Sequence, residues 1–330
     1  MNANKEGSVT RRSFMKASAG VLMVSGLGIP RTVHAEGARG LATMIDLDRC
    51  DGCTNFDQPC CVASCRDKNL GIIPEPVSPL PKLFPRGKTE DWSKKKDVTN
   101  RLTPYNFIYV QQADVEYEGE RKSVFIPRRC MHCDNPACAT ICPFAANHKY
   151  ENGAVVINDN LCVGGAKCRT VCPWNIPQRQ SGVGLYLKLM PELAGNGVMY
   201  KCDLCNDLLH EGKEPACIDA CPQDAMAIGP YNDIKKMAEK RAAEMNGFIY
   251  GMKENGGTGT FYVSPVPFDI LNKAIDKGPG KPSLGPVKRA MAAMSTLEKS
   301  LVFSPVIGIA AGIAGVWSVI SKRKWAEKND

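Results

Sequence analysis

The sequence predicts an α+β protein built from two fused, internally duplicated units, with a single apolar helix near the C-terminus. Three observations carry this. The 16 cysteines of the 330-residue chain fall into four sets of related spacing. Strand-like hairpin patterns and a helical pattern flank those sets. An uncharged run covers Leu301 to Ile320, about the length that crosses a bilayer.

The N-terminus reads "TRRSFMKASAGVLMVSGLGIPRTVHA". Arg11 and Arg12 precede an apolar run from Ala17 to Ile29, and small residues close it at Val33-His34-Ala35. This is a signal-peptide layout over residues 1–35, and the paired arginines with Thr10, Phe14 and Lys16 point to the Tat route. That route exports folded proteins, so a cofactor assembled in the cytoplasm arrives already loaded. The competing reading is an N-terminal helix retained in the fold. The net charge of +8 is spread out, and part of it lies in the leader and the C-terminal tip. No basic stripe with interleaved aromatics suggests nucleic-acid binding.

The first cysteine set is Cys50, Cys53, Cys60, Cys61 and Cys65. The second is Cys130, Cys133, Cys138 and Cys142. The third is Cys162, Cys168 and Cys172, and the fourth is Cys202, Cys205, Cys217 and Cys221. Every set ends in C-x3-C, and the last three end in Cys-Pro. Iron–sulfur cubanes need thiolates around a compact cluster. A tight cysteine loop supplies three, and a later Cys-Pro supplies the fourth to the neighbouring cluster in two-cluster ferredoxins. Four sets therefore imply two ferredoxin-like units. Disulfides suit the pattern poorly, because C-x2-C neighbours are poor partners and a chain this long needs no stapling. Zinc sites do not repeat C-x3-C-P. C-type haem needs a histidine after C-x2-C, whereas Thr54, Asp134 and Asn206 follow here.

Through "CMHCDNPACATICP", "CRTVCPWNIPQ", "KCDLCNDLL" and "CIDACPQDAM", residues 41–230 resemble the four-cluster ferredoxin-type subunits of periplasmic, membrane-bound oxidoreductases. These serve uptake nickel–iron hydrogenases, formate dehydrogenase and the dimethyl-sulfoxide-reductase group. The segment "IYGMKENGGTGTFYVSPVP" resembles the family's stretch before its anchor, and leader plus anchor on one chain look most like the hydrogenase version. The resemblance implies crosswise pairing. One [4Fe–4S] cluster takes Cys50, Cys53, Cys61 and Cys221, and a second takes Cys202, Cys205, Cys217 and Cys65. A third takes Cys130, Cys133, Cys138 and Cys172. The last site has Cys162, Cys168 and Cys142, with Gly165 where a fourth ligand belongs.

Counting Cys162-x2-Gly165-x2-Cys168-x3-Cys172 restores the usual spacing. Glycine offers no ligand, so a [3Fe–4S] cluster is expected there, the alternative being a cubane with water or hydroxide on one iron. The first set carries five extra residues between its second and third ligands. Either Cys60 or Cys61 can be the third, and Cys61 keeps the C-x3-C spacing to Cys65.

The expected organisation is a discontinuous first unit over 41–125 plus 198–230 and a second over 126–197. A helix, hairpin and linker follow over 231–300, then the anchor over 301–320 and a cytoplasmic tip over 321–330. Lys322, Arg323 and Lys324 mark the cytoplasmic side, so the body faces the periplasm. Gly308 and Gly312 give the span a small-residue face for another helix. "GIIPEPVSPLPKLFPRG" reads as an extended loop. A hairpin is expected around Glu118-Gly119-Glu120, a capped helix from Asn232 to Met245, and two strands around Asn255-Gly256-Gly257. Lys281 to Ser300 reads as a short amphipathic lead-in to the membrane. His132 lies inside the second cysteine loop, where packing is its first expected role.

No catalytic triad, dinucleotide fingerprint or substrate pocket is legible. The expected function is an electron relay between a catalytic subunit, hydrogenase-type first and molybdenum- or tungsten-type second, and a membrane quinone-reactive subunit. A stand-alone redox-sensing or cluster-storage ferredoxin is the reading from another class.

Overall fold

The computed structural model describes residues 39–82, 88–189 and 197–292. The leader expected over 1–35 and the anchor expected over 301–320 lie outside them. Among the described residues, no helix is long and apolar enough to cross a membrane.

The body opens with β1 (Leu41–Asp46) and α1 (Cys60–Asn69). An irregular stretch follows, broken by a short 3-10 turn at Ser93–Lys95. The hairpin β2 (Tyr109–Tyr117) and β3 (Glu120–Arg128) turns through Glu118 and Gly119, whose φ of 54° and 80° are both positive. This is the two-residue turn whose twist matches paired strands. Next come α2 (Ala137–Thr140), β4 (Asn147–Lys149), β5 (Val155–Ile157), α3 (Lys167–Val171) and β6 (Gln178–Gln180). They are followed by α4 (Leu185–Leu189), β7 (Val198–Tyr200), α5 (Asn206–His210), α6 (Ala216–Asp219) and β8 (Met226–Pro230). The chain continues with α7 (Tyr231–Glu244), β9 (Phe248–Tyr250), β10 (Thr260–Ser264) and α8 (Phe268–Ala274).

The strand pairing follows the cysteine repeat. The strand leaving the second set pairs with the strand entering the third, β4 with β5. The same holds for β6 with β7 between the third and fourth sets. β8 leaves the fourth set and pairs antiparallel with β1, which enters the first, so the two ends of the cysteine-rich region meet. The β6–β7 ladder runs across the expected division at 197/198.

β8 and β1 belong to a four-stranded sheet of order β8-β1-β10-β9. Side chains alternate across a strand, so β1 and β10 each serve two faces. Ala42, Met44, Phe261 and Val263 meet Tyr231, Ile234, Ala238 and Ala242 of α7. Ile45 and Tyr262 point into the main core, which holds Cys61, Cys65, Cys130, Cys202 and Cys217, with Cys133, Cys172 and Cys221 packed against it. The helical positions recur at three- and four-residue steps, one apolar stripe. Arg241 pins α7 to β1 through bonds of 2.7 Å to Asp46 and Asp48.

Two expectations need correction. α7 begins at Tyr231, one residue early. Pro230 stands at its N-cap in an extended conformation, and no side chain caps the helix. Residues 281–290 form no helix. Pro282 and Pro286 remove backbone donors there, and the rest of the expected amphipathic segment lies largely outside the described residues.

Ile234, 2% exposed between α7 and the sheet, supplies a stability test. Ile234→Ala is expected to cost about 2–5 kcal/mol through lost burial and a residual cavity. A calorimetric scan should show the unfolding midpoint falling while the visible absorbance of the protein below the transition is unchanged.

Candidate iron–sulfur centres

All four cysteine loops share one backbone device. Two residues after the leading cysteine, Gly52, His132, Gly164 and Leu204 have φ of 69°, 45°, 65° and 63°. A left-handed residue there turns successive N–H groups toward the inside of the loop, making a concavity suited to an anionic group. The three Cys-Pro segments share a second device. Ala145, Asn175 and Asp224, each three residues past the cysteine, are left-handed. Each donates its N–H to that cysteine's carbonyl, at 3.2, 3.0 and 3.3 Å. The turn releases the chain into β4, β6 and β8. The first set lacks it because α1 runs on as helix through Asn69.

Tertiary packing then decides which cysteines meet. α1 packs on α6, and Ser64 Oγ donates to the Ala216 carbonyl at 2.7 Å. α2 packs on α3. A pocket is lined by Cys50, Cys53, Cys61 and Cys221, with apolar neighbours such as Val110 and Pro127. Cys60 is not in that lining, although its thiol and N–H lie beside Cys53.

Burial first, then Cys217, Cys202 and Cys205, push the Cys65 thiol well above its ordinary range. Burial, with Cys130, Cys172 and Cys138 nearby, does the same to Cys133. Burial, then Cys162, Cys138 and Cys142, raise Cys168 to about 12. Cys217 also lies near Cys221, and Cys202 near Cys130. Among the described residues, no three possible ligands are close enough to hold one metal ion.

These residues fit iron–sulfur clusters. Bare thiolates are disfavoured in such dry sites, and bound iron supplies the positive charge that removes the proton. Backbone N–H groups already point at sulfur, from Met199 to Cys162 at 3.3 Å and from Leu204 to Cys202 at 3.4 Å.

Gly165 has no left-handed φ, and nothing lies within 4 Å of a Cβ built on it. Its loop is held from outside. Arg179 donates to the Gly164 carbonyl at 3.1 Å and to Glu90 at 2.7 Å. Glu90 also takes a two-pronged bond from Arg169, at 2.7 and 2.8 Å. The insert after the first set thus covers this centre.

Sequence reasoning missed three buried groups. Arg129 Nη1 lies 4.0 Å from Cys202 Sγ, and Lys201 Nζ donates to the carbonyls of Val155 and Cys202. Asn69 Nδ2 is 3.5 Å from Cys65 Sγ. A signal was present, since a basic residue directly precedes Cys130 and Cys202. His132 does more than pack: it is fully buried and its Nε2 is 3.6 Å from Cys202 Sγ.

Residues 49–146 and 121–231 match models of 4Fe-4S dicluster domains. The chain is 31% identical over 227 residues to a Nitratidesulfovibrio vulgaris protein, covering 68% of this chain and 54% of that one. It is 27% identical over 306 residues to the Hydrogenase-2 operon protein HybA of Escherichia coli O157:H7, with 80% and 83% covered. It is 30% identical over 254 residues to the Protein NrfC homolog of Haemophilus influenzae, with 76% and 91% covered.

Glu90 gives a pH test. Burial opposes its charge, but the hydrogen bonds and charges of Arg169 and Arg179 outweigh this and hold its carboxyl below the ordinary 4.5. A lowered pKa contributes stability above the unfolded value, and that stability is lost as pH falls through the folded one. Glu90→Gln should therefore lower the thermal midpoint at pH 7, with the gap to wild type narrowing as pH drops below about 4.

Proposed function

We propose, because the chain belongs to the family of ferredoxin-type iron–sulfur subunits with 4Fe-4S dicluster domains, that it relays electrons between a hydrogenase-type catalytic subunit and a quinone-reactive membrane subunit. The chain is an electron-transfer subunit holding iron–sulfur clusters, and substrate chemistry belongs to another chain of its complex. The observation that carries the proposal is the pocket shared by Cys50, Cys53, Cys61 and Cys221, residues from opposite ends of the cysteine-rich region.

The grouping we propose is three four-iron clusters, on Cys50/Cys53/Cys61/Cys221, Cys65/Cys202/Cys205/Cys217 and Cys130/Cys133/Cys138/Cys172. Cys142, Cys162 and Cys168 hold a three-iron cluster beside Gly165. The packing of α1 on α6 and of α2 on α3 supports this crosswise arrangement. The cross-group neighbours Cys217–Cys221, Cys202–Cys130 and Cys168–Cys138 support a linear order, with the three-iron site at one end. Losing a thiolate changes cluster type and charge, which raises the potential and suits the acceptor end nearest the quinone-linked partner.

The Tat-type leader and the 301–320 span support a body on the periplasmic face of the cytoplasmic membrane, anchored by its own helix. The hydrogenase-type partner rests on the likeness to HybA.

Purification from detergent-solubilised membranes tests the role. A hydrogenase-type large subunit and an integral membrane subunit should accompany the chain, and carbonate washing should not release it. A molybdopterin-type large subunit would reassign the partner. A monomer with no partner would end the relay reading in favour of a stand-alone ferredoxin.

Iron content tests the clusters. Three four-iron sites and one three-iron site give about 15 irons per chain, with the near-isotropic paramagnetic signal of an oxidised three-iron cluster in anaerobic preparations. Gly165→Cys, for which the site has room, should abolish that signal and add one iron. A wild type with no such signal and about 16 irons would mean that a non-protein ligand completes the site.

A further inference from the structure

Charge on sulfur is stabilised by donors, and reduction adds negative charge to a cluster and its thiolates. Donors aimed at the sulfurs therefore raise the potential. They are distributed unevenly. Cys202 receives the Leu204 N–H at 3.4 Å and Arg129 Nη1 at 4.0 Å. His132 adds a third. Its Nδ1 accepts the Val155 N–H at 3.0 Å, so the ring proton sits on Nε2, which faces Cys202 Sγ at 3.6 Å. Asn69 Nδ2 reaches Cys65 at 3.5 Å. Among the described residues, the Cys130 set is approached by the amides of Asn147 and Asn255 and by the charge of Lys201, which acts on Cys130 and Cys138 as well as on Cys202. The pocket of Cys50, Cys53, Cys61 and Cys221 has no cationic or amide side chain bonded to its sulfurs in the described structure.

Burial works against this. Cys65, Cys202, Cys205 and Cys217 are all buried, and a dry site disfavours added charge. Arg129, however, is 1% exposed in the same dry region, where its attraction is least screened. Lys201, 6% exposed, holds its ammonium against the Cys202 carbonyl. Lys201 is shared with Cys130 and Cys138, whereas the charge of Arg129 acts on Cys202 and Cys217 and offsets the loss of hydration that it shares with those sulfurs.

We infer that the cluster held by Cys65, Cys202, Cys205 and Cys217 is the highest in potential of the three four-iron clusters, and that His132 is a positioning residue that helps to set it. This rests on the grouping proposed above. His132 belongs to the Cys130–Cys133 loop but bonds to a ligand of the neighbouring cluster. It therefore ties two centres through one imidazole and fixes their separation.

The test is an anaerobic potentiometric titration of the full-length, cluster-loaded chain, followed by electron paramagnetic resonance. His132→Leu is the first variant; the equivalent position of the fourth loop is Leu204, also left-handed, so leucine is compatible with this loop conformation. Asn69→Leu is the second, on a different element. Each should lower one and the same four-iron signal, the highest in the wild type. The expected shift is about tenfold in the reduced-to-oxidised ratio, or about 59 mV for a one-electron couple. The other signals should stay in place. His132→Gln, which keeps an N–H donor, should shift it less. If both variants move one signal but not the highest, the inference is wrong and the grouping stands. If they move different signals, Cys65 and Cys202 serve different clusters, and the grouping falls with the inference. If neither moves any signal, His132 has no tuning role. Should His132→Leu lose iron, the Asn69→Leu signal alone decides whether this cluster is the highest.

Discussion

Buried thiols dictate the rest of this structure. Burial disfavours a bare thiolate at many of these cysteines, such as Cys61, Cys65, Cys133 and Cys168, and these have like groups as neighbours. Without a compensating charge such a region is a knot of mutual repulsion or a set of reluctant acids. Bound iron turns the same arrangement into a cohesive one, so cluster binding and folding share one free energy. The geometry sharpens the point. Cys50 and Cys221 line one pocket, and closing so long a loop without a bond at its end is an entropic cost. β1 pairing with β8 closes the same loop through the backbone. The ladder and the shared site therefore reinforce one another.

The cations belong to this logic. Buried Arg129 and Lys201 have no carboxylate partner among their described bonds; they bond instead to sulfur, to a hydroxyl and to carbonyls of the cysteine loops. An unpaired buried cation is costly, which is intelligible only where a lasting negative charge faces it. Iron–sulfur clusters with four thiolates carry that charge. The modest overall excess of +8 is thus a poor guide to function. What matters is that particular positive groups are placed inside the protein, beside the centres.

Some of this was legible in the sequence and some was not, for physical reasons. Ligand spacing is local, so the sets, the gap at Gly165 and the β2–β3 turn through Glu118 and Gly119 could be read directly. The stripe on α7 is periodic and equally local, although Asn232, which reads as a cap, lies one residue inside the helix. Which set shares a site with which is decided by α1 on α6 and α2 on α3, contacts between segments far apart in sequence. Only resemblance suggested it. The choice between Cys60 and Cys61 depends on which face of α1 meets that packing. The strap through Glu90, and the reach of His132 to Cys202, join residues 79 and 70 positions away from their partners. No periodicity or motif announces such contacts.

The loop around Gly165 keeps the form of its three counterparts. The Cys162 loop retains the left-handed residue at Gly164 that its three counterparts have, so the inward-facing N–H groups remain. What a fourth iron–sulfur bond would have supplied is a tether at position 165. A glycine there, with open space around its missing Cβ, leaves the loop short of one constraint. The bond from Arg179 to the Gly164 carbonyl falls one residue from the gap, and Glu90 fastens that arginine to Arg169, the neighbour of Cys168. Both limbs of the loop are thus held by one carboxylate from the insert. That carboxylate is itself 13% exposed, shielded enough for its bonds to hold more firmly than a surface pair. This restraint comes from side chains alone and does not depend on a ligand at position 165.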